Sequence, residues 1–141
     1  MAKTTGVNWT TLSVGDAGNV VRDIRNDITN FQFAMPRGVQ DVTGIDKSAI
    51  ERLLLLADFS MTLNGVFDSA ATTSSHAVLS TVTSTSVLRT VNLTVTGTVV
   101  ANLNQASAIL FTDYQLARTA AGEFTWSAPG VLGSGAVPTW S

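Results

Sequence analysis

The sequence predicts a mainly β protein with one short α-helix. Its 141 residues include 20 Thr and 13 Ser, and threonine favours strands because its Cβ carries two heavy atoms. The clearest strand signal is an alternation of apolar and polar side chains over residues 87–100. Turn signals that contain glycine separate several of the other apolar segments. The length suits one domain with its own core, and we expect a single domain over residues 1–141.

Charge and cysteine content argue against several kinds of site. The net charge is −2 and the eight basic residues are scattered, which disfavours a surface that clamps nucleic acid. Without cysteine, neither disulfides nor thiolate metal ligands can form. Residues 1–6 lack the apolar run of a signal peptide, and the longest aliphatic run, residues 53–57, is too short to span a bilayer. We therefore expect synthesis in the cytoplasm and no membrane partner.

The distribution of charge indicates self-association. The chain is 45% hydrophobic and 13% charged, against a usual charged fraction of about 25%. Residues 16–58 hold most of the charged side chains, and Arg89 alone is charged between Asp68 and Asp113. Solubility by itself favours more charge than this, so we expect much of the surface to be covered in an assembly.

The first third of the chain predicts two strand regions and a loop. A strand over residues 8–14 ends at the turn signal of residues 15–18. A second strand region covers residues 20–35, and its alternation breaks near Asn26 and Asp27, which indicates a bulge or a turn. Pro36 then begins a long loop over about residues 35–47.

Residues 48–67 carry two competing patterns. Ser48 and Glu51 match a capping box. The apolar residues Ile50, Leu53, Leu54 and Ala57 have helical spacing. From Ala57 to Asn64, however, apolar and polar residues alternate with the period of a half-buried strand. The prediction is at most one helical turn near Ser48, followed by a strand over residues 53–67.

The best helix candidate is residues 74–83. Ser74 can cap its start, and the apolar residues from Ala77 to Val82 form a short stripe. A helix this short must pack on a sheet to persist. We expect His76 to be an exposed residue of its first turn.

The remaining residues predict further strands. Residues 87–100 are expected to form one long strand, with Val91, Leu93, Val95 and Val99 facing the core. A turn over residues 101–104 leads to a partner strand over 106–118, and a second turn over 119–122 leads to a strand over 123–128. The tail, residues 130–141, is rich in Gly and Pro and carries Trp140, which suggests docking against its own domain or a neighbour.

The single histidine gives little support to a catalytic site. His76 follows Ser74 and Ser75, but adjacency in sequence is not the geometry of a Ser–His–Asp triad. Catalysis would need a pocket with several titratable groups, and the chain offers few of them. We predict that the protein is not an enzyme and has no catalytic residue.

The acidic residues have an ordinary structural interpretation. The pairs Asp23/Asp27 and Asp41/Asp46 lie among basic or loop residues, where solvated faces and loop hydrogen bonds are the more frequent roles. Too few ligands are present for a conventional zinc site, although calcium in an Asp-bearing loop stays open. We predict no metal-ligating residue and no cofactor.

The order of elements resembles the tail tube proteins, or major tail proteins, of long-tailed, siphovirus-type bacteriophages. The matching features are residues 41–68, the short helix after them, the strands of residues 87–118, and the closing Gly-Ala-Val-Pro-Thr-Trp-Ser. The resemblance covers nearly the whole chain. Its most specific parts are residues 59–68 and the Pro-Thr-Trp ending.

The resemblance implies both a fold and an assembly. The fold is a β-sandwich or partly open barrel of antiparallel strands with one short flanking α-helix. Subunits of this family form hexameric rings that stack into a tail tube, through which genomic DNA passes without specific binding. The implied partners are copies of the chain itself, a tape-measure protein and other tail proteins. The implied location is the virion tail, after assembly in the cytoplasm of the bacterial host.

The resemblance also gives candidate roles to particular residues. The polar side of residues 87–100 becomes a candidate lumen wall or hydrated ring surface, formed by Thr90, Asn92, Thr94, Thr96 and Thr98. Contacts between subunits are expected from the N-terminal arm, the loop and the C-terminal tail, with Arg37, Asp41, Asp46, Lys47 and Trp140 as candidates. The alternative for the loop is an ordinary mobile surface loop.

Two other functions remain open from the sequence. One is a β-sandwich binding module for a carbohydrate or a receptor, which predicts a monomer or small oligomer with exposed Trp on a concave face. The other is a capsid decoration or tail-completion protein, which predicts a trimer or a single ring and no filament.

Overall fold

The computed structural model describes residues 9–70, 74–95, 98–102 and 108–140. The described part contains thirteen strands, the α-helix α1 (Ser75–Leu79) and one 3-10 turn (Arg25–Asp27). The strands are β1 Trp9–Gly15, β2 Val21–Asp23, β3 Ile28–Ala34, β4 Arg37–Asp41, β5 Arg52–Ala57, β6 Ser60–Val66, β7 Val91–Val95, β8 Thr98–Val99, β9 Ala101–Asn102, β10 Ile109–Phe111, β11 Gln115–Arg118, β12 Phe124–Leu132 and β13 Thr139–Trp140.

Two antiparallel sheets form the body of the protein. The four-stranded sheet has the order β2–β1–β7–β8, and the five-stranded sheet has the order β10–β12–β6–β3 with β11 also paired to β12. Two further pairs, β4–β5 and β9–β13, form separate two-stranded sheets. The described strands do not close into a barrel. The predicted mainly β class with one short helix is confirmed.

The core lies between the two sheets because alternate residues of each strand point inward. Leu12 and Val14 of β1 lie opposite Leu93 and Val91 of β7, and all four are buried. The buried residues that the five-stranded sheet contributes are Ile28, Met61, Leu63, Ile109, Phe111, Trp126 and Ala128. Burial of this apolar area is the main stabilising contribution to the fold.

Arg89 is the largest fully buried side chain, with 1% of its surface exposed. Its backbone N–H donates to the Ile109 carbonyl over 2.7 Å, and its own carbonyl accepts from the Ile109 N–H over 3.0 Å. Its guanidinium donates to the carbonyls of Val78 at 2.6 Å and Gly15 at 3.2 Å. It also donates to the Thr81 hydroxyl at 2.9 Å. The residue thereby joins β10, the end of β1 and the segment around α1.

The helix α1 begins where the sequence predicts and is shorter than predicted. Ser74 caps it, since its hydroxyl accepts from the Ala77 N–H over 3.1 Å. Val78 and Leu79 are buried against the sheets. The Ser75 N–H donates to Asp27 Oδ2 over 2.8 Å, which ties the first turn of the helix to the 3-10 turn. Short turns rather than helix follow over residues 80–84.

The prediction of one strand over residues 87–100 is wrong. β7 and β8 run antiparallel, with Val95 opposite Thr98 and Thr94 opposite Val99. Residues 96–97 between them lie outside the described residues. The sequence feature that could have indicated this reversal is Gly97, because glycine adopts turn conformations without steric cost. Within the described residues, the predicted hairpin with residues 106–118 is reduced to one bridge, between Arg89 and Ile109.

The predicted facing of this segment is confirmed in part. Val91 and Leu93 are buried, and Val95 packs partly buried against the core. Val99, expected in the core, is 44% exposed, because the chain reversal places it opposite Thr94 on the outer face of the sheet. Thr90, expected on a hydrated face, is 7% exposed, because it lies next to the buried Arg89 and its N–H donates to Asn19 Oδ1 over 2.8 Å.

The predicted strand over residues 106–118 is divided into β10 and β11, and residues 106–107 lie outside the described residues. Both strands pair with β12. The gap between them faces Pro129 of β12, whose carbonyl accepts from the Thr112 N–H over 3.1 Å. Proline has no N–H to return the bond, so the ladder is interrupted there. The predicted turn over 101–104 is wrong for residues 101–102, which form β9, and residues 103–104 lie outside the described residues.

Residues 35–67 also differ from their predictions. The expected loop over 35–47 contains β4, and no helical turn forms near Ser48. The expected strand over 53–67 is two strands, β5 and β6, that belong to different sheets. At their junction the Asp58 N–H donates to the Pro36 carbonyl over 3.0 Å, which closes the base of the β4–β5 pair. The predicted alternation therefore begins at the end of β5, crosses the junction and continues in β6.

Several local predictions are confirmed. β1 ends at the predicted turn, where the Asp16 carboxylate accepts from the N–H groups of Gly18 and Val20. The break at residues 26–27 is the 3-10 turn. The turn over 119–122 forms, with the Gly122 N–H donating to the Thr119 carbonyl. The strand after it continues beyond residue 128 to Leu132.

Replacing Arg89 by methionine should destabilise the subunit strongly. Arg89→Met keeps an unbranched stem but removes every donor to the Val78 and Gly15 carbonyls, and unpaired buried groups of this kind cost about 2–4 kcal/mol together. Urea unfolding of dispersed subunits, followed by tryptophan fluorescence, measures the loss. Arg118→Met on the exposed strand β11 is the matched control and should change stability little. Equal losses in the two variants would contradict the role of the buried guanidinium.

The buried Asp27 should make stability depend on pH. Burial, together with the negative charge of Asp68, raises the pKa of Asp27 above the usual value of an aspartate. Its contribution to stability is therefore largest at low pH and falls as pH rises through the raised pKa. Asp27→Asn keeps an acceptor for the Ser75 N–H and should gain stability relative to the parent protein as pH increases from 4 to 7 (about the range over which a raised carboxyl pKa titrates).

Thermal unfolding of both proteins across this pH series tests the expectation. Asp68→Asn removes the neighbouring charge while it retains Asp27, and it should shrink the same pH-dependent loss. A constant stability difference between the parent and Asp27→Asn at every pH is the contrary outcome.

Candidate assembly surface

Residues 37–57 form a β-hairpin, here named the apolar hairpin, that consists of β4, β5 and their connecting segment. Val39 lies opposite Leu54, and Asp41 lies opposite Arg52. In the described part of the chain, β4 and β5 pair only with each other. The hairpin therefore extends the backbone away from the two main sheets, and its side chains have few neighbours to cover them.

Local hydrogen bonds order the connecting segment of the hairpin. The Asp41 carboxylate accepts from both the N–H and the hydroxyl of Thr43, at 3.0 and 2.6 Å. These two bonds hold the pKa of Asp41 below its usual value. The Thr43 hydroxyl in turn accepts from the Glu51 N–H over 2.8 Å. The Val42 N–H donates to the Glu51 carbonyl over 3.0 Å. This bond continues the contact between the two strands one residue beyond the end of β4 and the start of β5.

The hairpin exposes apolar side chains on both of its faces. Leu54 on one face is 56% exposed, and Leu53 on the other is 57% exposed. Leu56 reaches 91%. Exposed apolar residues of the hairpin are Val39, Val42, Ile45, Ile50, Leu53, Leu54, Leu55 and Leu56. Contiguous apolar surface of this kind marks a contact surface in a soluble protein.

A hollow of about 860 Å³ lies at the base of the apolar hairpin. One side is formed by the start of β4 and the end of β5, and Val137 of the C-terminal segment contributes to the lining. The residues that line it are Pro36, Arg37, Gly38, Leu54, Leu55, Leu56, Ala57, Asp58 and Val137. The hollow continues the apolar surface of the hairpin towards the body of the protein.

Four of the five predicted contact residues lie in this hairpin. Arg37 donates from Nε to the Leu55 carbonyl over 2.9 Å. Lys47 lies 3.8 Å from an Asp46 carboxylate oxygen and 3.6 Å from one of Glu51. Together with Asp41 these groups hold the hairpin in shape. Whether they also contact a neighbouring subunit stays a prediction.

Trp140, the fifth predicted contact residue, lies on β13. It sits opposite Ala101 of β9, so the C-terminal segment is attached to its own domain by a two-stranded sheet. Its side chain is nevertheless 54% exposed. The predicted docking within the domain is therefore carried by the backbone, and the ring retains surface for a partner.

The candidate lumen residues are dispersed. Asn92 and Thr94 are half-buried on the outer face of the four-stranded sheet, opposite Ser13 and Thr11 of β1. Thr98 is exposed on β8, and Thr96 lies outside the described residues. With Thr90 buried, only Asn92, Thr94 and Thr98 keep the predicted exposure to water. Whether any of them lines a lumen stays a prediction.

His76 is half-buried rather than exposed. Its Nδ1 lies 3.2 Å from the hydroxyl of Tyr114, and its ring centroid lies 4.9 Å from that of Phe67. Burial and the charge of Asp27 raise the pKa of Tyr114 to about 12, so its hydroxyl keeps its proton at neutral pH. The histidine therefore packs in an aromatic cluster at the end of the sandwich.

The carboxylates that could have suggested catalysis bond to local backbone groups. Asp23 Oδ1 accepts from the N–H groups of Arg25 at 3.0 Å and Leu12 at 3.3 Å. Asp27 accepts from the start of α1, and Asp46 faces Lys47. Among the described residues, no group of three or more His, Asp or Glu is arranged to hold a metal ion. These carboxylates therefore stabilise backbone turns and the start of α1.

Sequence reasoning missed the apolar residues of the hairpin. Leu53 to Leu56 were interpreted as the start of a half-buried strand, Ile50 was part of the competing helical pattern, and Val39 and Ile45 received no role. The run of four leucines could have indicated this surface. Successive side chains of a strand point to opposite faces, so a strand with one solvent-exposed face cannot bury consecutive apolar residues. A strand that exposes such a run requires a partner on both faces.

Comparisons with known proteins identify the fold. No protein-family model and no curated protein matches the chain. One similar solved structure is a chain from the virion of a native gene transfer agent particle, with a TM-score of 0.69 and 14% identity over 99% of both chains. Another is a chain from the tail of an empty gene transfer agent particle with C6 symmetry, with a TM-score of 0.70 and 14% identity over 99% of both chains.

These similarities extend over the whole chain, so the fold is shared from end to end. The predicted resemblance to tail proteins is confirmed at the level of the fold. At 14% identity, individual residues of those structures carry no role over to this chain. No α-helix in the described residues is long and apolar enough to span a membrane.

Proposed function

We propose that this protein is a structural virion subunit that forms hexameric rings, and that the rings stack into a tail tube through which phage-type genomic DNA passes. The observation that carries the proposal is the apolar hairpin, exposed on both faces, on a fold shared over its whole length with a chain from a C6-symmetric tail. The hairpin provides apolar surface that a neighbouring subunit can bury, and the shared fold is one that occurs in a C6-symmetric tail.

The exposed leucines support assembly through a contact between unlike surfaces. A hairpin that projects from the body cannot cover both of its own faces, so a neighbouring copy must supply the cover. Contacts of this head-to-tail type close into a ring when the rotation between copies divides a full turn. Axial contacts between rings need no closure and can continue as a stack.

The sparse charge of the chain also supports an assembled state. An isolated subunit with 13% charged residues and an exposed apolar hairpin is poorly suited to remain dispersed. Coverage by neighbours removes this surface from water. The hairpin, the N-terminal arm and the C-terminal segment are the assembly elements of this proposal.

The proposed partners follow from this function. Copies of the same chain form the rings and the stack, and a tape-measure protein and other tail proteins complete the tail. The genomic DNA is a transient partner that is not specifically bound. The protein acts without catalysis, in the tail of the virion, after assembly in the host cytoplasm.

Electron microscopy of the purified protein tests the proposal. Negatively stained samples at increasing concentration should contain six-fold rings and, at higher concentration, tubes. A protein that stays monomeric at high concentration would contradict assembly and favour a binding module. Trimers, or single rings that never stack, would favour a capsid decoration or tail-completion protein.

A charge placed on the apolar hairpin should block assembly without unfolding the subunit. Leu56 is 91% exposed, so Leu56→Asp should leave the fold intact. If a neighbour buries this leucine, the loss of about 1.5–3 kcal/mol per contact raises the concentration needed for assembly about tenfold or more. Sedimentation across a concentration series measures this threshold.

Leu56→Met at the same position is the matched control for the charged variant. Methionine keeps the apolar character and the approximate volume, so the assembly threshold should stay near that of the parent protein. Circular dichroism confirms that both variants are folded. Assembly of Leu56→Asp at the parent concentration would remove the hairpin from the interface.

A further inference from the structure

The outer face of the five-stranded sheet is defined by its register. Leu63 and Met61 of β6 point into the core, so Ser60, Thr62 and Asn64 point outward. Residues opposite each other on neighbouring strands share a face. The outward residues of β3, β6 and β12 are Asn30, Gln32, Ala34, Ser60, Thr62, Asn64, Val66, Thr125, Ser127, Pro129 and Val131.

None of these outward positions on β3, β6 and β12 carries a charged side chain. The two amides at the centre satisfy each other, because Asn64 Nδ2 donates to Asn30 Oδ1 over 2.7 Å. Gln115 and Ala117 of β11 extend the same uncharged face, opposite Ser127 and Thr125. Charged groups begin only at its margin, where Asp113 accepts from the Gln115 amide over 2.8 Å.

The outer face of the five-stranded sheet is also wide and contains a concave region. β3 and β6 have seven residues each and β12 has nine. A hollow of about 400 Å³ lies across them. Its polar lining includes Asn30, Asn64, Gln115, Thr125 and Ser127.

The outer face of the four-stranded sheet has a different character. Its outward row includes the carboxylate of Asp23, opposite Ser13. The guanidinium of Arg25 lies nearby, since it donates to the carbonyls of Trp9 and Thr10. The edge strands β2 and β8 have only three and two residues. The four-stranded sheet therefore presents a narrower surface with charges of both signs.

We propose that the outer face of the five-stranded sheet forms the channel wall, and that duplex DNA passes over it without being held. This inference rests on the proposed tube function. It assigns the channel wall to this face and not to the face that carries Asn92 and Thr94. Proteins hold DNA chiefly by neutralising phosphates with Lys and Arg, with release of counterions. The centre of this wall is formed by Ser, Thr, Asn and Gln, and apolar residues such as Val66 and Val131 lie among them. None of these outward residues offers a cation for a phosphate to bind.

Thiol labelling of assembled tubes tests which face lines the channel. The chain has no cysteine, so a single introduced thiol is free of background. Ser127→Cys places it on the proposed wall, and Asn92→Cys places it on the outer face of the other sheet. Both parent side chains are half-buried in the single subunit. Each variant is treated with a small maleimide and with a maleimide coupled to a large globular protein, as dispersed subunits and as tubes.

The expected result separates the three possible locations of each thiol. In tubes, Ser127→Cys should react with the small reagent, which diffuses along the channel, and should lose its reaction with the large one. Asn92→Cys should react with both reagents if it lies on the outer surface of the tube, or with neither if it lies in a subunit interface. The proposal is overturned if Ser127→Cys reacts with both, as an outer surface would, or with neither, as a subunit interface would. It is also overturned if Asn92→Cys shows the channel pattern.

The assembly state is recorded before any label is added. If the parent protein forms no tubes, the proposed function fails, and this inference fails with it. If tubes form and the labelling pattern is contrary, only the assignment of the wall fails. Should Ser127→Cys not fold, Thr62→Cys on the same face is labelled in its place and judged by the same pattern.

Discussion

The fold depends on one buried cation. Arg89 lies where β1 ends, where β10 bridges to the segment before β7, and where the turns after α1 return to the body. Desolvation of a guanidinium is costly, and here its direct hydrogen-bond partners are neutral carbonyls and hydroxyls, while the charge of Asp16 also favours the cation. Because those acceptors come from separate parts of the chain, the arrangement is satisfied only when both sheets and the helix are in place.

Local signals in the sequence predicted local structure well. The turn after β1, the Ser74 cap and the 3-10 break at residues 26–27 each depend on side chains within a few residues of the bond they make. Pairings between distant segments could not be predicted in the same way. The division between β10 and β11 depends on Pro129, a residue on a third strand. The alternation of residues 87–100 specifies a period and carries no information about where the chain reverses.

The assembly surface was only half visible in the sequence for a related reason. Polar residues such as Arg37 and Lys47 were recognised because an apparent loop displayed them. The apolar residues opposite, Leu53 to Leu56, resembled core, since a sequence does not state whether the cover comes from the same chain or another. Their exposure becomes apparent only when β5 is seen to pair with β4 alone. Apolar residues that fit no core position are thus the clearest sign of quaternary structure.

The attachment of the apolar hairpin has a mechanical consequence. Its two strands leave the body side by side, and the bond between Asp58 and Pro36 closes the junction. Within the described residues neither strand pairs with a strand of either main sheet, so a tilt of the hairpin as a rigid body would break no strand pairing of those sheets. In a stack whose neighbouring subunits bind these hairpins, bending of the filament would be distributed over small tilts at many hairpin junctions. A long filament of this subunit would then bend while every sandwich in it stays folded.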